Sequence, residues 1–184
     1  VRAAAETAVD GLVSLLQPYA RSVMKKHADE GRRVVLATTT PRDLIEPFAH
    51  AMGFDAVIAT TYAVDADGAY TGELDGPFCY GPGKVEAITE LARAEGLDLA
   101  RCYAYSDSVS DLPMLEAVGH PVAVNPDPTL ERVAAERGWP VTIHSEQFHG
   151  PHTVALVSWR QRWWLRDEYL GVIPTGVAAE TASS

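Results

Sequence analysis

The stretch Tyr105-Ser-Asp-Ser-Val-Ser-Asp-Leu-Pro-Met-Leu115 decides how this chain folds. A short apolar run, Cys102-Tyr-Ala-Tyr105, leads into it, and Asp107 and Asp111 then bracket Ser108 and Ser110. Leu112, Met114, Leu115 and Val118 follow at spacings that suit one buried helix face. The pattern predicts a strand that stops, a tight polar turn, and a helix that starts. In a parallel α/β sheet such junctions are where ligands bind, outside the carboxyl ends of the strands. Two carboxylates there suit a hard cation such as Mg²⁺, which takes oxygen ligands and keeps several waters. The competing reading is that Asp107 and Ser110 only cap a helix and favour its dipole.

Outward from that centre, strands and helices alternate. Residues 2–16 carry Val9, Leu12, Val13, Leu15 and Leu16 in an Ala-rich setting and predict a helix, which Pro18 breaks or resets. A second helix is expected over 19–29, ending at Gly31. Arg33 to Ala37 reads as a buried strand, and Pro41 is placed as the first residue of a helix that runs to Met52. Asp55 to Thr61 predicts another strand. Tyr62 to Glu73 predicts a hairpin turning at Asp65-Ala-Asp67-Gly68. After the loop 77–83, Lys84 opens an amphipathic helix with Val85, Ile88, Leu91 and Ala92 on one side. Strands at 120–124 and 139–143 flank a turn at Asn125-Pro-Asp-Pro128 and a helix over 129–137. The alternation predicts a doubly wound α/β domain, a parallel sheet covered on both faces.

Composition sets limits. The chain has 184 residues, enough for one domain with a sizeable core. A formal charge of −10 argues against a general nucleic-acid binder, although a local lysine and helix N-termini can still hold phosphate. Cys79 and Cys102 are too few for a disulfide framework or a four-ligand zinc site. No signal peptide or membrane-spanning run is legible, so the expected compartment is the cytoplasm.

Three positions fall at strand ends or helix starts. The Thr38 hydroxyl and the Thr39 amide suit a phosphate oxygen, while capping preference taken alone favours a simple helix cap by Thr40. Lys84, after Gly81-Pro-Gly83, opposes the helix dipole, which hints at an anion nearby; the alternative is a solvated lysine. Asp107 and Asp111 complete the set.

Hydroxyl, lysine and paired aspartates in this order resemble the haloacid-dehalogenase-like superfamily, nearest its phosphoserine-phosphatase-like branch. Its second motif is matched by Val34-Val-Leu-Ala-Thr38 and its third by Gly83-Lys84. Its fourth, the most specific, is matched by Asp107-Ser-Val-Ser-Asp111-Leu-Pro-Met-Leu115. The likeness covers about residues 18–145. It implies a Rossmann-like core and a Mg²⁺-dependent phosphomonoesterase acting on a small phosphorylated metabolite through an aspartyl-phosphate. It implies that Thr38 and Thr39 bind the phosphoryl group and that Lys84 neutralises it and the nucleophile. Asp107 would bind Mg²⁺, and Asp111 would support the metal site or Lys84. The first motif of the superfamily, Asp-x-Asp-x-Thr/Val after a strand, supplies nucleophile and acid and is not in this sequence. Asp65-Ala-Asp67 has the spacing, but its Asp-Gly signature reads as a hairpin turn.

Residues 1–17 accordingly resemble the end of a helical cap or a linker, residues 18–148 the core, and 149–184 a helix with a disordered tail. The expectation is that the first strand and most of the cap are missing, and that the chain is an inactive piece of a phosphatase. Thr39-Thr-Pro41 departs from the glycines that follow this motif in phosphoserine phosphatases proper, which puts phosphoserine itself in doubt. The alternative is a non-catalytic domain that binds a phosphate or a partner. His149 and His152 read as a metal pair or as solvated, and Trp159 to Arg166 as a helix packed on its own domain or a membrane-surface segment. Oligomeric state is not legible.

Overall fold

The computed structural model describes residues 2–16 and 18–143. His149, His152, the 159–166 segment and the expected tail lie outside the described residues. Among the described residues no helix is long and apolar enough to cross a membrane.

Two helices open the chain, α1 (Arg2–Leu15) and α2 (Pro18–Asp29), with Pro18 at the start of the second, where a missing N–H costs nothing. Strand β1 (Val35–Pro41) pairs in parallel with β2 (Ala56–Thr60), Val35 opposite Ala56 and Ala37 opposite Ile58. Between them runs α3 (Arg42–Met52), which buries Ile45, Phe48 and Ala49. Each large apolar side chain so buried contributes about 1.5–3 kcal/mol. Leu12 and Leu16 pack into the same cluster, so the N-terminal helix belongs to the core of this face.

A hairpin follows, β3 (Tyr62–Val64) with β4 (Tyr70–Leu74). Asp65 Oδ1 accepts from the amides of Asp67 at 3.0 Å and Ala69 at 2.9 Å, so this carboxylate is spent on the turn, as its Asp-Gly signature predicts. Helix α4 (Pro82–Glu95) leads to β5 (Tyr103–Ser106). A single 3₁₀ turn (Val109–Asp111) precedes α5 (Leu112–Ala117). Strand β6 (His120–Val124), helix α6 (Pro128–Arg137) and β7 (Val141–Thr142) close the fold. β5, β6 and β7 form a second parallel set in that order, Tyr103 opposite His120 and Ser106 opposite Ala123.

The expected parallel sheet therefore stands as two half-sheets, β2-β1 and β5-β6-β7, each covered by helices. Among the described residues no ladder joins β1 to β5. An apolar cavity of about 460 Å³ is lined by Val35 and Ala37 of the first strand and by Ala104 and Tyr105 of the second.

Several boundaries differ from the sequence reading, and three of them by more than the fraying of an end. Pro41 ends β1 and stands before α3 at φ −54°, ψ 135° rather than opening the helix. The extended ψ is the one usual for the residue just before a helix. Second, α4 starts at Pro82, so Lys84 lies inside its first turn. Third, β7 keeps only Val141 and Thr142 of the run 139–143, since β6 offers pairing at Ala123 and Val124 alone.

Candidate active site

At the centre of the site Lys84 Nζ donates to Asp111 Oδ1 at 2.5 Å, and both residues are only 2 % exposed. The other Asp111 oxygen accepts from the Ser106 hydroxyl at 2.9 Å. Ser106, fully buried at the end of β5, in turn accepts from the Ser108 amide at 3.2 Å. Both oxygens of Asp111 are thereby engaged, and its carboxylate holds Lys84 in place. Of the two roles that the resemblance implies for Asp111, this geometry favours support of the lysine.

Local sequence explains how the lysine gets there. Gly83 has no room for a side chain: a Cβ would sit 2.1 Å from the Phe78 carbonyl oxygen. Only glycine lets the loop 77–81 fold so tightly against the first turn of α4. The same loop is bonded to the carboxyl ends of both strands of the first half-sheet. The Thr39 hydroxyl donates to the Cys79 carbonyl at 3.0 Å, and the Cys79 amide donates to the hydroxyl of Thr60, at the carboxyl end of β2, at 3.3 Å. Lys84, a turn further on, reaches Asp111 beyond the carboxyl end of β5.

Thr38 begins an irregular stretch, since regular pairing of β1 with β2 stops after Ala37. Its hydroxyl accepts from the Thr40 amide at 3.2 Å and lies 3.1 Å from the Thr40 hydroxyl. The O–H is held by one neutral neighbour and can turn toward an incoming phosphate oxygen.

Asp107, the residue after Ser106, is also buried. It does not act as a cap: the 3₁₀ turn is capped by Ser108, whose hydroxyl accepts from the Ser110 amide at 3.3 Å, and α5 has no side-chain cap. The Asp107 carboxylate is instead a buried charge. Its field reaches α2: burial first, and the Asp107 charge second, push the Tyr19 phenol up to about 12. A divalent ion with oxygen preference fits one such carboxylate with waters and substrate completing the shell. Among the described residues no three His, Cys, Asp or Glu side chains form a ready-made metal cluster.

The sequence singled out Thr38, Thr39, Lys84, Asp107 and Asp111 as candidates; the structure adds contacts from Ser106, Thr60, Tyr19 and Asp127, which the sequence did not single out. A hydroxyl on the last residue of a strand was a usable signal for Ser106 and Thr60. Tyr19 arrives through the packing of α2, which no local pattern encodes.

Residues 1–116 match the family model of haloacid dehalogenase-like hydrolases. The chain belongs to that family. It is 48% identical over 147 residues to the inhibition of morphological differentiation protein of Streptomyces azureus, covering 80% of this chain and 51% of that protein. It is also 45% identical over 121 residues to a phosphoserine phosphatase of Mycobacterium tuberculosis, covering 66% of this chain and 39% of the relative. A crystal structure of a protein of unknown function from Bordetella pertussis superposes with a TM-score of 0.62 at 38% identity, over 66% of this chain and 56% of that one. The chain spans about half the length of the first of these relatives and less of the second. These likenesses bear out the haloacid-dehalogenase-like reading and its phosphoserine-phosphatase-like branch.

Proposed function

We propose that these residues form the phosphate-binding and cation-binding part of a phosphomonoesterase that works through an aspartyl-phosphate on a small phosphorylated metabolite. The observation that carries the reading is the buried Lys84–Asp111 pair beside Asp107. Burying such a pair costs several kcal/mol per ion before its mutual attraction is counted, so a well-packed apolar pair would serve stability at least as well. A lysine fixed at that cost, in the helix turn that follows the loop bonded to Thr39, suits a doubly negative phosphoryl group.

In this reading Thr38 and Thr39 hold phosphoryl oxygens and Lys84 neutralises them along with the attacking carboxylate. Asp111 and Ser106 orient Lys84, and Asp107 would hold Mg²⁺. When bound, the ion supplies charge neutralisation at the phosphoryl oxygens, where most of the acceleration in phosphoryl transfer arises. Among the described residues Asp111 is committed to Lys84 and Asp65 to its turn, so neither is offered as the nucleophile. We assign nucleophile and acid to a carboxylate pair on a segment outside residues 1–184. The open edges of β1 and β5 and the cavity between them suit a strand that would deliver it. The attacking carboxylate oxygen would bond to phosphorus as the ester oxygen leaves with a proton from the acid, and water would then release phosphate.

The test is hydrolysis of p-nitrophenyl phosphate with Mg²⁺ by residues 1–184, by the chain extended with its preceding coding sequence, and by extended chains carrying Lys84→Ala or Asp107→Asn. The extended chain is expected to turn over at roughly 1–10³ s⁻¹ and the short one orders of magnitude slower. Each substitution is expected to cost about 10²–10³ in kcat. Enzyme-like turnover by residues 1–184, or full activity of Asp107→Asn, overturns the reading.

A further inference from the structure

We infer that Asp127 is a positioning residue for the Asp107 loop, and that its two carboxylate oxygens serve two different elements at once. One oxygen, Oδ1, accepts from the amides of Thr129 and Leu130, both at 2.9 Å, and caps α6. The other, Oδ2, reaches out of its own element and accepts from the Val109 amide at 2.7 Å. The Asp127 amide completes the clamp by donating to the Asp107 carbonyl, also at 2.7 Å. Residues 107 and 109 are thus gripped from both sides by a single residue. The two bonds hold the 107–108 and 108–109 peptides, so rotating either of them, which would re-aim the loop that follows Asp107, breaks one of the bonds.

The gripping residue is itself stiffly held. Asn125, after β6, adopts φ 43°, a left-handed conformation that asparagine tolerates better than other side-bearing residues. Its amide donates to the Thr142 carbonyl at 2.9 Å, which anchors the turn on β7. Pro126 and Pro128 fix φ on both flanks of Asp127. An ordinary helix cap needs none of this. A charged acceptor on a backbone amide is also among the stronger hydrogen bonds a loop can have. The Asn125-Pro-Asp-Pro128 turn therefore carries order from the third strand of the half-sheet into the loop that presents Asp107.

The two duties can be separated chemically. Asparagine and serine cap helices about as well as aspartate, but the amide N–H₂ of asparagine cannot accept from Val109 while its oxygen caps, and serine is too short to span both. Asp127→Asn and Asp127→Ser, made in residues 1–184, should keep α6 and lose the tether. Amide hydrogen exchange is the primary readout. Val109 is expected to exchange about ten- to a hundredfold faster in both variants, with Leu130 close to wild type. The second readout is Mn²⁺ affinity by water-proton relaxation, expected to weaken about ten- to a hundredfold, as for other residues that orient a metal ligand. This part rests on the proposed metal role of Asp107. If the wild-type chain binds no Mn²⁺, that role fails, and the exchange data alone decide the inference. Unchanged exchange at Val109 overturns it, and so does acceleration confined to Thr129 and Leu130, since Asp127 is then only the cap of α6.

Discussion

Lys84 and Asp111 set the energetic stakes of the site at the level of single residues. Their bond at 2.5 Å lies in the interior, so removing one partner strands a charge where water cannot reach it. Asp111→Asn and Lys84→Met are each expected to destabilise the fold by about 3–5 kcal/mol in urea unfolding, while Lys84→Met with Asp111→Leu recovers most of the loss. A single variant that unfolds like wild type would show that the pair is not buried in solution. His27 makes a second prediction. Its Nδ1 accepts from Arg32 at 3.1 Å, so its Nε2–H is left to donate to the Tyr105 hydroxyl at 2.7 Å. Protonation would put a second N–H against the guanidinium. Burial first, then Arg32 and more weakly Lys26, pull the imidazole below its ordinary 6.5, against an opposing pull from Glu30. A histidine depressed in the fold contributes stability that is complete above the unfolded value and is lost as pH falls through the folded one. Stability should therefore decline as pH drops from about 7, and His27→Gln should flatten the part of the slope that starts near 6.5. An unchanged slope would place the proton uptake elsewhere.

Among elements, the first turn of α4 is the sensitive one. Gly83→Ala drives a Cβ into the Phe78 carbonyl, which is backbone and cannot step aside cheaply. We expect a loss of about 1–3 kcal/mol in thermal or chemical unfolding, the usual range for overpacking, with Lys84 displaced from Asp111. Gly138→Ala, a left-handed C-cap at φ 66° with open space around it, should cost only about 1 kcal/mol. Equal losses at the two glycines would mean that the loop 77–81 is not packed on α4. These elements also show how far the sequence could be read. Strand and helix periodicity placed the major elements, because Leu36 and Ala37 of the apolar run that becomes β1 are buried, as strands of a parallel sheet require, and Met114 and Leu115 are buried on one face of α5. The Asp-Gly signature correctly assigned Asp65 to a turn. Asp127 was legible as a residue before a helix-starting proline, but only half its chemistry is local. The bond to Val109 spans two elements, and no spacing rule reports it. Pro41 misled because proline, with its φ fixed at about −65°, suits both the first helical residue and the last extended one before it.

At the scale of the whole molecule, the unjoined edges of β1 and β5 dominate. Exposed strand edges with apolar lining are a liability that folded proteins ordinarily cover. Here Val35, Ala37, Ile58, Leu91 and Met114 surround a cavity of about 460 Å³, bridged near Tyr105 by the bond from His27. A strand laid between the half-sheets would pair with both edges and place its carboxyl end in the neighbourhood of Asp107. The chain of residues 1–184 is expected to bind an anilinonaphthalene sulfonate dye in this cavity, whereas the chain extended by its preceding coding sequence is expected to bind it far less. Covering even two large apolar side chains is worth about 3–6 kcal/mol. At about 2–4 °C per kcal/mol for a chain of this size, the extended chain should melt roughly 10 °C higher. Its urea m-value should also rise, since more surface is hidden in the folded state. Ala104→Leu, which projects from β5 into the space, should suppress dye binding in the short chain alone. Equal dye binding and equal melting in the two chains would mean that the cavity is not the seat of a strand, and the nucleophile would then have to be sought on some other route into the site.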